Sequence, residues 1–317
     1  MRIHVLRFYS SYVTVINGKA VEATEPVMTY CPLADHFYKG IRDLGDKKKN
    51  KWDIIKAVNE KISKFGYFTE NRILFDEQIA VPYGASEIIM FAMKKGIIDA
   101  GVIVCDGAGT VIVENPALVQ GIGARMNGLF YTSPIERTIE RLEDAGCKVL
   151  SPKALIKQIE GVELAAKLGH KTIVVTVNAT TGERLREFRR IENKYNVSVI
   201  SLVICTTGVT GKRIEEIGKD ADIVWSCASE EIREKIGKKA ILQLSEKIPV
   251  FVLTAKGLDL VDSYSDKENV IKTLNTKRQY LVVSRGEGQK FKMGNFRCFL
   301  REAILPVRDK KEPKLAY

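Results

Sequence analysis

From Lys171 to Leu253 the chain alternates strand-like and helix-like segments, and this restricts the fold more than any other feature of the sequence. Lys171–Val177, Val197–Ile204, Asp222–Trp225 and Pro249–Leu253 are apolar and rich in β-branched residues. Gly182–Tyr195, Ile214–Ile217 and Glu230–Leu244 carry helical periodicity between them. Strands joined through helices predict a mostly parallel sheet with helices on its faces, and ligands of such sheets bind beyond the carboxyl ends of the strands. The expected class is α/β, Rossmann-like, with a small N-terminal antiparallel β-sheet before it and a short α+β extension after it.

The N-terminal sheet is read from Ile3–Tyr9 and Tyr12–Ile16, which alternate with period two and run into Asn17-Gly18, a strong hairpin signal. Residues 51–64 predict an amphipathic helix with Trp52, Ile55, Val58 and Ile62 on its core face. A second helix follows Gly84-Ala85-Ser86-Glu87, with Ser86 as its expected cap, and a third runs from Ile135 to Gly146. Near the C-terminus, residues 278–305 read as two strands about a Gly-Glu-Gly turn and a short amphipathic piece. The last ten residues read as a mobile tail. The expected organisation is a β module over 1–50, an α/β lobe over 51–160, a Rossmann-like lobe over 161–265 and an extension over 266–317.

The candidate chemistry collects at strand exits. Val102-Ile103-Val104 ends in Cys105, turns on Asp106-Gly107-Ala108-Gly109, and leads through a second apolar run to Gly121-Ile122-Gly123-Ala124-Arg125. Neither glycine pair completes the dinucleotide fingerprint, because Ile112 and Met126 occupy the final glycine positions. Two further exits repeat each other: Thr180-Thr181-Gly182, and Thr206-Thr207-Gly208 after Cys205. The second lacks the phosphate-loop pattern, having Thr206 at the first glycine position and Arg213 where a magnesium-binding Ser or Thr is required.

Of six cysteines, Cys105, Cys205 and Cys227 sit at strand exits and Cys31 precedes Pro32, a common setting for cluster-ligating thiolates. Four such thiols suffice for an iron–sulfur cluster, with Gly107, Gly109, Gly121, Gly123, Arg125 and the two Thr-Thr-Gly loops shaping the adjoining pocket. Cys147 and Cys298 read as structural. The absence of any C-x-x-C spacing excludes a zinc knuckle, and three scattered histidines give neither a His-based metal site nor a nucleophile–histidine pair.

No apolar run approaches the ~20 residues that cross a bilayer, and the N-terminus is strand-like rather than a signal peptide, so a cytoplasmic protein is expected. A net charge of +11 suits acidic partners. It is not accompanied by any nucleic-acid-binding motif, so a protein partner is expected rather than nucleic acid.

The strings CPLADHFYKG, VIVCDGAGTVI, NPALVQGIGARMNGLFYTSPI, CTTGVTG and ADIVWSCAS together resemble methanogenesis marker protein 8, an archaeal family found with methyl-coenzyme M metabolism. The resemblance spans nearly the whole chain. It implies a role around methyl-coenzyme M reductase, in maturation or activation, with no assigned reaction; joined to the reading of Cys31, Cys105, Cys205 and Cys227, the expected function is that of a redox or metallocofactor protein. The alternative is a cofactor-free assembly factor docking on an acidic enzyme. A weaker resemblance over residues 84–190 is to the β subunit of deazaflavin-coenzyme hydrogenases and dehydrogenases, which brings in a flavin or deazaflavin coenzyme. The sequence departs from that pattern at Ala179-Thr180-Thr181, where the second motif has its cysteine, and it has no ferredoxin-type cysteine run.

Overall fold

The computed structural model describes residues 1–315 except Thr29, Asp46 and Asn127. The alternating N-terminal residues form β1 (Ile3–Phe8), β2 (Ser11–Ile16) and β3 (Lys19–Ala23), an antiparallel meander turned at Asn17 and Gly18, both at positive φ. Short helices α1 (Pro32–Phe37) and α2 (Lys39–Arg42) lead to α3 (Lys51–Phe65), whose start is fixed by a reciprocal capping box between Asn50 and Asp53. The buried stripe of α3 is Ile54, Ala57, Val58, Lys61 and Ile62. Trp52 is 66% exposed and lies off that stripe, beneath the Lys51 ammonium, so the expectation that it is a core residue is corrected.

Next come α4 (Ala85–Lys94), β4 (Ala100–Cys105), β5 (Gly109–Val113), α5 (Pro116–Gly123), β6 (Gly128–Thr132), α6 (Glu136–Asp144) and β7 (Lys148–Val149). Gly84, not Ser86, is the N-cap residue of α4, and the Ser86 hydroxyl donates to Glu87 instead. The expected glycine-rich loop at 121–123 is the last turn of α5, started by Asn115 as cap and Pro116 as first residue.

The second half follows the expected alternation as α7 (Gln158–Lys167), β8 (Thr172–Asn178), α8 (Arg186–Tyr195), β9 (Ser198–Ile204), α9 (Lys212–Asp220) and β10 (Ile223–Trp225). The segment expected as one helix over 230–244 divides into helical turns at 232–239 and then a strand, β11 (Leu242–Leu244). It is followed by β12 (Val250–Val252), α10 (Ala255–Asp262), β13 (Tyr280–Val283), β14 (Gln289–Met293) and β15 (Phe296–Glu302).

These strands form two sheets. The small one has the order β3-β2-β1-β6, and the large one β14-β15-β13-β11-β12-β10-β9-β8-β4-β5-β7. Strands β4, β8, β9 and β10 are the parallel, Rossmann-like centre of the large sheet, and its wings are antiparallel apart from the parallel pair β11–β13. The large sheet runs without a break across the 160/161 and 265/266 positions, while β6 leaves the middle of the chain to pair with β1.

Two apolar cores cover the faces of the large sheet. One joins residues of α4, α5 and α10, and the other joins α7, α8 and α9. Because β8, β9 and β10 are parallel, the loops at 180–182, 206–208 and 226–229 all emerge at one edge. The residues after Val307 are not a free tail. Glu312 and Pro313 are buried, Arg308 bonds Glu234 and Glu312, and Leu315 bridges to Met28. Ala316 and Tyr317 lie outside the described residues.

Candidate functional site: a thiol-lined cavity between the two sheets

A cavity of about 330 Å³ opens where the carboxyl edge of the large sheet faces the small sheet. That volume suits a small ligand or cofactor. Its walls are mostly apolar, with Met28, Phe37, Leu129, Ile204 and Trp225 among them, and Pro313 contributes from the C-terminal segment. Three sulfurs reach it from three elements: Cys31 at the N-cap of α1, Cys205 after β9, and Cys227 after β10.

The backbone gives these thiols their direction. Cys205 and Cys227 have φ of 58° and 46°, a left-handed conformation that non-glycine residues rarely adopt and that costs about 1 kcal/mol or more. Neighbouring bonds fix both turns. Thr206 Oγ1 donates to the Trp225 carbonyl at 2.6 Å, and the Ala228 amide donates to Thr207 Oγ1 at 3.2 Å. Arg233, 1% exposed, donates to the Cys227 carbonyl and pairs with Glu312 at 3.3 Å. At the third thiol, the Cys31 amide donates to Tyr9 Oη at 3.2 Å, and Tyr9 donates to Asp35.

The three sulfurs share one electrostatic environment. Burial pushes the Cys31 thiol up to about 11, opposed by the amides of Ala34 and Leu33, with the Cys227 sulfur raising it further. Burial pushes Cys205 up to about 12, again with a contribution from Cys227, while the Arg7 guanidinium pulls it down. Cys31 and Cys205 are therefore thiols at neutral pH unless a metal displaces their protons. Among the described residues, no three His, Cys, Asp or Glu side chains stand close enough to grip a single metal ion.

Cys105 is not with this group. Ile103 and Val104 reach the cavity, but Cys105 at the end of the strand does not line it and packs in the core with Ile103, Ala108 and Cys147. It is fully buried, its sulfur donates to the Asp106 carbonyl at 3.3 Å, and burial raises it strongly. Cys147 and Cys298 are buried in the same core.

The glycines divide in the same way. Gly123 lines the cavity, whereas a Cβ on Gly121 would meet the Leu74 carbonyl at 1.9 Å, and on Gly109 the backbone of Ala154 at 2.4 Å. Gly107, at φ 81°, packs on Ile135. These three are close-packing positions and do not form a cofactor cradle. Arg125 lines the cavity at φ 62°, bonded to Asp76 at 3.0 Å and stacked over Phe65. Of the two Thr-Thr-Gly loops, Thr181 and Thr207 line the cavity. Thr180 bonds Asn178 at 2.7 Å, and Gly182 and Gly208 supply the positive φ of their turns.

Sequence reasoning missed Arg7, Tyr9 and Asn178, which reach the cavity from β1, the β1–β2 turn and the end of β8. Arg7 alternates with core residues as any solvent-facing strand residue does, and only the pairing of β6 with β1 brings it beneath the large sheet.

An α/β sheet whose parallel centre opens its carboxyl edge onto a thiol-lined cavity defines the class of protein. The chain belongs to the family described as "Uncharacterized protein conserved in archaea (DUF2099)", which matches residues 4–264 and so includes every cavity cysteine. It is similar to the uncharacterized protein MJ0054 of Methanocaldococcus jannaschii, with 41% identity over 262 residues, covering 82% of this chain and 89% of that protein. No described helix is long and apolar enough to cross a membrane.

Proposed function

We propose that this is a cytoplasmic metallocofactor protein that holds an iron–sulfur cluster in the cavity through Cys31, Cys205 and Cys227. The observation that carries the reading is the convergence of three thiols from separate elements on one cavity, two of them held in left-handed turns at the ends of neighbouring strands. Packing alone gives no reason to retain that strain twice, whereas a ligand that needs both sulfurs on one side does. The thiols come from three separate elements, so a group that engages all three must bridge them, as a polynuclear cluster does. Three protein thiolates leave one cluster position for another ligand.

When bound, the cluster would supply one-electron transfer. The chain's own residues would hold it as thiolates, keep water away with Phe37, Leu129 and Trp225, and offset negative charge with Arg7 beside Cys205. The Pro313 segment would cover it from the C-terminal side. The sequence strings resembling methanogenesis marker protein 8 support a place in maturation or activation of methyl-coenzyme M reductase.

The second reading, a cofactor-free assembly factor on an acidic enzyme, is favoured by the net charge of +11. Anaerobic purification followed by reconstitution with iron and sulfide separates the two. Bound iron with acid-labile sulfide and a reducible spectrum supports the cluster, and a colourless protein after reconstitution favours the assembly factor.

A further inference from the structure

We infer that the cavity also takes a small organic acid, a single anionic group on an apolar body, with the anion held by Arg7 and Asn178. This deepens the proposed function and rests on it in reading the cavity as a binding site. Two donors near the cavity have no acceptor. Arg7 Nη1 donates to the Thr207 carbonyl at 2.8 Å, which anchors the guanidinium, yet its buried Nε has no partner. Asn178 Oδ1 accepts from the Thr180 amide at 3.1 Å and from Thr180 Oγ1 at 2.7 Å, which fixes the orientation of the carboxamide. Its buried Nδ2 is left without a partner as well.

Both side chains line the cavity and both meet the same neighbours. Gly128 pairs with Arg7 across β1 and β6, and a Cβ there would lie 2.8 Å from Cys205 Sγ and 3.3 Å from Asn178 Nδ2. Both side chains line the cavity, and a donor that no protein atom satisfies is costly unless something accepts from it. A cation beside an amide donor selects an anionic oxygen.

The cavity carboxylates do not oppose this. Glu87 accepts from the amides of Ala80 and Val81, from Ser86 and from Gln120, and Glu183 accepts from the amides of Gln158 and Ile159. Arg125 is already paired with Asp76, which leaves Arg7 to receive the charge. Away from these two donors the walls are mostly aliphatic and aromatic, with Glu87, Glu183 and Arg125 already engaged by the protein, so the remainder of the ligand is mostly apolar.

The test uses the full chain, iron-free, with two dyes of similar apolar body. One is 8-anilinonaphthalene-1-sulfonate, which carries an anion, and the other is the neutral N-phenyl-1-naphthylamine. Arg7→Met keeps the aliphatic stem and removes the charge, and Asn178→Asp keeps the acceptor for Thr180 while replacing the donor with a carboxylate. Each substitution is expected to weaken the sulfonate dye about tenfold and leave the neutral dye within about twofold, tenfold being about 1.4 kcal/mol. Wild-type affinity for the sulfonate in either folded variant, or equal loss of both dyes, overturns the inference. If Arg7→Met does not fold by circular dichroism, Asn178→Asp decides alone. Because no iron is present, the outcome is independent of whether the thiols take a cluster.

Discussion

Cys205 and Cys227 leave neighbouring parallel strands, β9 and β10, in the same left-handed turn, with φ of 58° and 46°. The Arg7 guanidinium faces the first, and Arg233 holds the carbonyl of the second. A glycine at either site would relieve the backbone, whereas an alanine would keep the strain and lose only the sulfur. Cys205→Gly is therefore expected to be more stable than Cys205→Ala by about 1 kcal/mol, with both deficient in metal. Paired denaturant titrations measure the difference. Equal stability of the two variants contradicts a strained turn.

Metal uptake is expected to strengthen with pH. Burial raises Cys31 to about 11 and Cys205 to about 12, so each must release a proton to become a ligand. Iron or cobalt titration between pH 6 and 9 should show rising affinity and measurable proton release. Without metal the sign reverses for stability. The raised thiols contribute fully below the ordinary cysteine pKa, and that contribution is lost as pH climbs above about 9 toward their folded values.

His4 is expected to set the acid limit. Burial lowers it from 6.5 to about 4, with Asp106 opposing and Arg2 assisting, and its Nδ1 lies 2.7 Å from Thr132 Oγ1. A lowered folded pKa gives stability present above 6.5 and lost as pH falls toward 4, an effect of about 3 kcal/mol. His4→Gln is expected to flatten the decline in melting temperature over that interval. An unchanged acid limb would remove His4 from the explanation.

The α/β class was legible because the strand–helix alternation over 171–253 is a local pattern, and the parallel centre β8-β9-β10 follows from it. The cavity was legible in part. Cys205 and Cys227 announce themselves by ending apolar runs, but Cys105 does so equally and packs in the core. Which side a terminal residue faces depends on the turn beyond it, and the left-handed turns at 205 and 227 carry no glycine to mark them. Glycines misled for the converse reason. Gly109 and Gly121 are required by the close backbones of Ala154 and Leu74, contacts set by chain crossings distant in sequence. Arg7 and the strap after Val307 were invisible, since their roles arise from the packing of one sheet and one segment over the other.

Gly121→Ala places a methyl against the Leu74 carbonyl and is expected to destabilise by about 1–3 kcal/mol. Its thiol reactivity should stay that of the wild type, because Gly121 does not line the cavity. A Gly121→Ala protein of full stability contradicts the packing role.

The C-terminal strap should control access to the cavity. Glu312→Gln leaves the buried Arg233 without its ion-pair partner, a change that typically costs about 3–5 kcal/mol. Here part of that cost is expected as release of the strap, with alkylation of Cys227 accelerating several-fold and that of buried Cys298 unchanged. Mass spectrometry of the alkylated peptides reads both rates. Parallel acceleration at the two cysteines would indicate global loosening instead.

Iron and acid-labile sulfide content after anaerobic reconstitution of the six single Cys→Ala variants decides whether the cavity thiols hold a cluster. Cys31→Ala, Cys205→Ala and Cys227→Ala are each expected to lose most of both, while Cys105→Ala, Cys147→Ala and Cys298→Ala retain wild-type amounts. Iron-free wild-type protein, or a Cys105→Ala variant as depleted as Cys227→Ala, would contradict it.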